Sequence, residues 1–186
     1  MLCYGLATAV HNVRDIGKPM SIEQALAVWD GKSADDIRAI YEFYLKEAKF
    51  IDSIVNLTKT ESYQNGSTWL LKAWLEDGNR LDGHQIKTIY NLLDNLCRWE
   101  AKLHLLQSIP FMPIDHPEKK HVDRFLRLTL IDTNKFVRAW SYNGFYELAK
   151  QHPEYISEAK QFFDMAMRDE APSVKARIRN IMKNDF

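Results

Sequence analysis

The chain has 186 residues, of which 46% are hydrophobic and 27% are charged, and its 25 basic and 25 acidic side chains leave no net charge. This composition is typical of one globular domain and excludes a disordered chain, while the zero net charge disfavours nucleic acid as a partner, because neutralisation of phosphates supplies most of that affinity. Two cysteines make no disulfide framework and no apolar run is long enough to span a membrane, so we expect a cytoplasmic protein without a membrane, metal or cofactor partner.

The chain is expected to begin with an irregular lead-in at residues 1–20, followed by helices over residues 21–80. Ser21 and Gln24 form a capping-box pattern, which predicts the start of a short helix ending near Gly31.

A long helix is predicted next, with Ser33 as its N-cap. Its apolar residues advance by three and four positions from Ile37 to Val55, which places them on one helical face. We expect residues 63–67 to interrupt the helical pattern before another helix forms at 69–76.

The remaining residues predict six further helices with short connections, so neighbouring helices should run antiparallel. Their predicted bounds are roughly 84–96, 98–108, 121–131, 134–151, 154–168 and 173–183. The fold class is therefore all-α.

Three aspartates recur at spacings of 38 and 37 residues: Asp94, Asp132 and Asp169. Each is followed five residues later by a bulky apolar residue and seven residues later by an alanine. This period is typical of solenoids built from stacked helix pairs. In this register the second helices bury three faces, formed by Trp99, Leu103 and Leu106, by Val137, Ser141 and Gly144, and by Val174, Ile178 and Ile181. The small Ser141 and Gly144 predict an unusually close neighbouring helix.

The segments Asp132 with Val137-Arg138, and Asp169 with Pro172 and Val174-Lys175, resemble the HEAT repeat family. The resemblance implies a right-handed superhelix of antiparallel helix pairs in a single domain at 1–186, with the clearest repeats at 84–184. It also implies a structural ladder between repeats, and the ladder residues would be Asp94, Asp132, Arg138, Asp169 and Lys175. The unit at Asp94 departs from the family pattern because Glu100 occupies the basic position.

Basic and aromatic residues form two rows in the same register, and such residues are enriched in binding hot spots. The first row contains Lys72, Lys102, Trp140 and Arg177, and the second contains Trp74, His104, Tyr142 and Arg179. Packing against a neighbouring helix pair would explain Trp74 and Trp140 equally well. Trp29, Trp69 and Trp99 are interpreted as core residues.

The sequence contains no recognisable nucleophile and base arrangement, so we expect a non-enzymatic scaffold that binds a protein or peptide on its concave face. Similarity to helical-repeat DNA glycosylases for alkylated bases provides an alternative, in which Asp132 and Trp140 would be the functional residues. The oligomeric state stays open between a monomer and a homodimer. The linker from Asp115 to His121 contains two histidines and two carboxylates, but Lys119 and Lys120 oppose a metal site there.

Overall fold

The computed structural model describes residues 20–183, and these residues form ten α-helices and no strand. The all-α prediction is therefore confirmed. The irregular lead-in predicted for residues 1–20 lies, except for Met20, outside the described residues. The helices are α1 (Ile22–Val28), α2 (Ala34–Tyr44), α3 (Phe50–Leu57), α4 (Gln64–Glu76), α5 (Gly83–Asn91), α6 (Trp99–Ser108), α7 (Lys119–Leu130), α8 (Lys135–Gln151), α9 (Ile156–Asp169) and α10 (Pro172–Met182).

The capping box at the start of α1 is present, because Ser21 and Gln24 each accept a hydrogen bond from the other's backbone N–H. The single long helix predicted from Ser33 is wrong, since the chain leaves the helix after Tyr44 and starts α3 at Phe50. Both of these residues are buried, whereas the residues between them are exposed. The break lets α2 pack on α1 while α3 packs on α5, and both contact α4.

The interruption predicted at residues 63–67 is also wrong, because α4 begins at Gln64 and includes Gly66. A Cβ atom at Gly66 would lie 2.7 Å from Leu26 Cδ2, so the glycine serves a close contact between α4 and α1 rather than a turn. The helices predicted in the C-terminal half are present, with bounds that differ by a few residues.

The helices from α4 onwards alternate between two rows. In one row, α4 contacts α6, α6 contacts α8 and α8 contacts α10. In the other row, α3 contacts α5, α5 contacts α7, and Arg127 of α7 is 2.6 Å from Glu158 of α9. The two rows pack on each other chiefly through α7 and α9 against α8, and the buried apolar side chains form one connected core.

The buried faces predicted for α8 and α10 are confirmed: Val137, Ser141 and Gly144 are buried, and so are Val174, Ile178 and Ile181. The face predicted for α6 is only partly correct, because Leu106 is fully buried but the other two residues are not. Trp99 is 42% exposed and Leu103 is half-buried, while Ala101, Leu105 and Ser108 are fully buried. The true register of α6 is therefore two residues further along the chain than the aspartate spacing indicates.

Counting from the first residue of each helix restores a common pattern. The third residue of each helix in this row is buried: Gly66 in α4, Ala101 in α6, Val137 in α8 and Val174 in α10. The fourth residue is basic in the last three helices, where it is Lys102, Arg138 or Lys175. Helix starts, and not the aspartates, define the equivalent positions.

Candidate functional site

The sixth residue of each of these four helices lies at the border between the core and the surface. The seventh residue is fully buried in every case, so the sixth is the first side chain on the solvent side of the buried face. All four sixth residues are half-buried. We call them the sixth-residue row: Trp69, His104, Trp140 and Arg177.

The ninth residues lie beside this row, because residues three apart are neighbours on a helix surface. Three of them are amides, Gln107, Asn143 and Asn180, and we call these the amide row. None of the three side chains has a hydrogen-bond partner within residues 20–183. The ninth residue of α4 is Lys72, which is 2.8 Å from Glu76. Together the two rows form what we call the binding face.

Trp140 and Arg177 are in direct contact within the sixth-residue row. The Arg177 Cζ atom lies 3.8 Å from the centre of the Trp140 ring, well inside the range of about 6 Å for a cation–π contact. This contact with the ring orders the guanidinium, and its N–H groups can still donate to a ligand on the side away from the ring. Burial lowers the pKa of Arg177, and no carboxylate in the described part of the chain pairs with it.

His104 is held in its neutral form. Burial, reinforced by the positive charge of Lys72, lowers the pKa of His104 to about 3. The imidazole Nδ1 is 3.1 Å from Thr68 Oγ1, and the Thr68 hydroxyl in turn lies 2.6 Å from the carbonyl oxygen of Gln64, to which it donates. This network assigns the proton to Nδ1 and leaves Nε2 as an acceptor.

A small cleft of about 140 Å³ lies at the α4 end of the row, and its walls include Trp29, Trp69, Glu100 and His104. Asn65 also lines it. The side-chain amide of Asn65 donates to the carbonyl oxygen of Gly31 at 3.2 Å, but its own Oδ1 is buried without a partner among the described residues. This cleft can hold a group that donates hydrogen bonds.

The structure distributes the eight predicted binding residues unevenly. His104, Trp140 and Arg177 belong to the sixth-residue row, and Lys72 borders it. Lys102 instead pairs with Asp132 at 3.1 Å. The other three do not join the binding face: Tyr142 is buried against Phe163, Trp74 packs half-buried on the core, and Arg179 is exposed elsewhere on α10.

Trp69 was missed as a site residue, because the sequence interpretation placed it in the core; it is half-buried, with Arg38 above its ring at 5.8 Å. Trp29 is also half-buried, and its indole N–H donates to the carbonyl oxygen of Ser33. The amide row was missed as well. Alignment of the sequence on helix starts would have found both groups, but the aspartate spacing hides them.

Two of the five predicted ladder residues, Asp132 and Arg138, form ion pairs with residues that the prediction did not name. Lys102 of α6 pairs with Asp132, and Arg138 of α8 makes a two-fold contact with Glu170, from Nε at 2.8 Å and from Nη2 at 3.1 Å. Lys102 therefore occupies the basic position that the sequence register gave to Glu100.

The other three predicted ladder positions lie outside these two pairs. Asp169 is exposed, and its neighbour Glu170 makes the contact with Arg138. Lys175 donates to the carbonyl oxygen of Arg168, and Asp94 is 3.4 Å from Arg124.

The binding face carries side chains of four chemical types. It offers aromatic rings, amides, one neutral imidazole and one unpaired guanidinium. No group of three His, Cys, Asp or Glu side chains converges on a common point anywhere in residues 20–183. No helix in that same range is long and apolar enough to cross a bilayer.

Comparison with known proteins adds no relative to this description. No protein-family model matches the chain, and neither a curated protein nor a solved structure matches it.

Proposed function

We propose that this chain is a HEAT-like solenoid and a non-enzymatic scaffold that binds an extended protein segment along the binding face. One observation carries the proposal. Three amide side chains without internal partners lie in register on successive helices, beside a row of aromatic and basic residues.

The amide row suits the backbone of an extended peptide. Each amide side chain can donate and accept, and a peptide backbone presents alternating N–H and C=O groups that need both. Trp69 and Trp140 provide large, stiff surfaces for the peptide's side chains. Hydrogen bonds from these amides to a peptide backbone do not depend on the peptide's side chains, so the surrounding residues would set the sequence specificity.

The length of the bound segment follows from helix spacing. The distance from α4 to α10 is three helix spacings of about 8–10 Å, or roughly 24–30 Å in all. An extended chain rises about 3.3 Å per residue, so about eight residues cover the face.

The DNA glycosylase alternative needs a carboxylate free to approach a cationic base. Both oxygens of Asp132 are engaged instead, Oδ2 with Lys102 Nζ at 3.1 Å and Oδ1 with the backbone N–H of Asn134 at 2.8 Å. Two acids border the binding face and would repel phosphates: Glu100, which lines the small cleft with Trp69, and Glu147, one turn after Asn143 on α8. These contacts favour the scaffold.

The test is selection of ten-residue peptides from a display library on the purified full chain, followed by affinity measurement of the selected peptides by fluorescence polarisation. Asn143→Ala should weaken binding about two- to twelvefold, because each lost hydrogen bond contributes about 0.5–1.5 kcal/mol. The matched control is Gln161→Ala, an exposed amide on α9 in the other helix row, which should leave affinity unchanged.

Trp140→Phe should also weaken binding, whereas Met165→Ala, at a 54% exposed apolar residue on α9, should not. If the α8 variants and the α9 variants weaken the affinity of the selected peptides equally, the assignment of the binding face is refuted. Binding to a twelve-base-pair duplex at low salt, with no peptide selected, would favour the nucleic-acid alternative. Sedimentation of the same samples distinguishes a monomer from a homodimer.

A further inference from the structure

We propose that the α8–α10 end of the binding face is a carboxylate receptor, in which Arg177, positioned over the Trp140 ring, binds an acidic group of the bound segment. The inference rests on the proposed function and specifies its ligand. The acidic group is either an Asp or Glu side chain or the C-terminal carboxylate of a peptide.

The first step is the question of whether the Arg177 guanidinium has an acidic partner. Arg177 and Arg138 are both half-buried in the same part of the molecule. Among residues 20–183, only Arg138 of these two has an acidic partner, with both oxygens of Glu170 within 3.1 Å. The contact with Glu170 raises the pKa of Arg138, whereas burial alone lowers that of Arg177. A partly desolvated cation without a counter-ion is costly, and a bound anion removes that cost.

The second step is the direction of the free donors. Arg177 Cζ lies over the Trp140 ring, 3.8 Å from its centre, so the ring shields one side of the guanidinium and a ligand must approach the N–H groups from the other sides. A planar carboxylate can accept two parallel hydrogen bonds from these N–H groups. The arginine is thereby already ordered before a ligand arrives, which reduces the entropy lost on binding.

The third step separates a carboxylate from a polyanion. Arg177 is flanked on the binding face by the uncharged Asn143 and Asn180, while Glu147 lies one helical turn beyond Asn143. A single cation with two uncharged amides beside it and an acid nearby can bind a ligand group that carries one negative charge. A phosphate backbone requires a series of cations, because its affinity comes from neutralising several charges.

The experiment uses fluorescein-labelled pools of ten-residue peptides in which one position is fixed and the others are mixed. Each position is fixed in turn as Asp, Asn or Lys, and each pool is made with a free and with an amidated C-terminus. Polarisation against the full chain should show at least a tenfold preference for Asp over Asn at one position, or for the free over the amidated terminus, as expected for a charge-assisted pair.

The preference should disappear in Arg177→Gln and should be reduced in Arg177→Lys, which keeps the charge but loses the planar fork. The control is Arg179→Gln, an exposed arginine two residues further along α10, which should keep the full preference. Circular dichroism of each variant confirms that it is folded.

Four outcomes would overturn the inference. Pools that bind without any acidic preference would refute the carboxylate receptor and leave the scaffold standing. An acidic preference that survives in Arg177→Gln would place the receptor elsewhere. Failure of every pool to bind, or Arg177-dependent binding of a twelve-base-pair duplex instead, would remove both proposals.

Discussion

Gly144 lies where α8 meets α7, and substitution by alanine tests whether that close approach is required. A Cβ at this position would overlap with Leu126 Cδ2 and would lie 3.5 Å from Ile109 Cδ1. Leu126 is fully buried, so its side chain cannot turn into solvent. Overpacking a core of this kind costs about 1–3 kcal/mol, and the overlap here is severe enough to place the cost near 3. The higher helix propensity of alanine offsets about 1 kcal/mol of this cost.

Gly144→Ala should therefore lower the free energy of unfolding by about 2 kcal/mol, which in a chain of this size lowers the melting temperature by roughly 4–8 °C. Urea unfolding followed by far-ultraviolet circular dichroism measures the change. The matched control is Gly83→Ala, because a Cβ there contacts nothing within 4 Å and alanine suits the first turn of α5.

The double variant Gly144→Ala with Leu126→Ala removes the clashing methyl group and isolates the cause. In the Leu126→Ala background, the added alanine should be neutral or stabilising. A Gly144→Ala protein as stable as the wild type would refute the packing argument, and an equal loss in both backgrounds would show that Leu126 is not the reason.

Three further predictions follow from the contacts. Burial lowers the pKa of His104 in the folded protein to about 3, far below its unfolded value near 6.5, so the stability that neutral His104 contributes is complete above pH 6.5 and falls as the pH drops towards 3. His104→Asn should therefore make the free energy of unfolding less dependent on pH between pH 6.5 and 5. Urea titrations across this range that give the wild-type slope would contradict this. The contact with Arg138 lowers the pKa of Glu170. A double-mutant cycle with Arg138→Met and Glu170→Gln should therefore give a coupling free energy of about 1–2 kcal/mol at pH 7. This coupling should disappear as the pH falls below 4.5 and passes through the pKa of Glu170 in the folded protein. A coupling that persists at pH 2 would point to packing instead of charge. Gly66→Ala should also destabilise the fold, but less than Gly144→Ala. The added Cβ would lie farther from its neighbour, at 2.7 Å from Leu26 Cδ2, and Leu26 is 6% exposed, so its side chain can move more easily than that of Leu126. Calorimetric melting of the two variants side by side gives the order of stability, and the reverse order would refute the use of these distances.

The helices of the C-terminal half could be predicted from the sequence because their signals are local. Apolar spacing, N-caps and prolines at residues such as Pro172 act within one or two turns of the chain. The break between Tyr44 and Phe50 could not be predicted in this way. The apolar pattern continues through it, and only the need of α2 and α3 to contact different helices ends the first helix there.

Glycines show the same division between local and tertiary information. Gly66 resembles a helix breaker in the sequence, yet it lies inside α4, since the close contact with Leu26 outweighs its low helix propensity. Gly144 was interpreted correctly, because the small residue at Ser141 one turn earlier already indicated a close neighbour.

From the sequence alone, the all-helical fold could be predicted, and His104, Trp140 and Arg177 could be named as candidate binding residues. Tertiary structure decided the register that joins these residues with Trp69 in one row. Loops of unequal length precede the second helices, so equivalent positions drift by one or two residues along the chain. Packing of each helix on the next restores the alignment, and that alignment leaves the amide side chains and the Arg177 guanidinium free on a shared face.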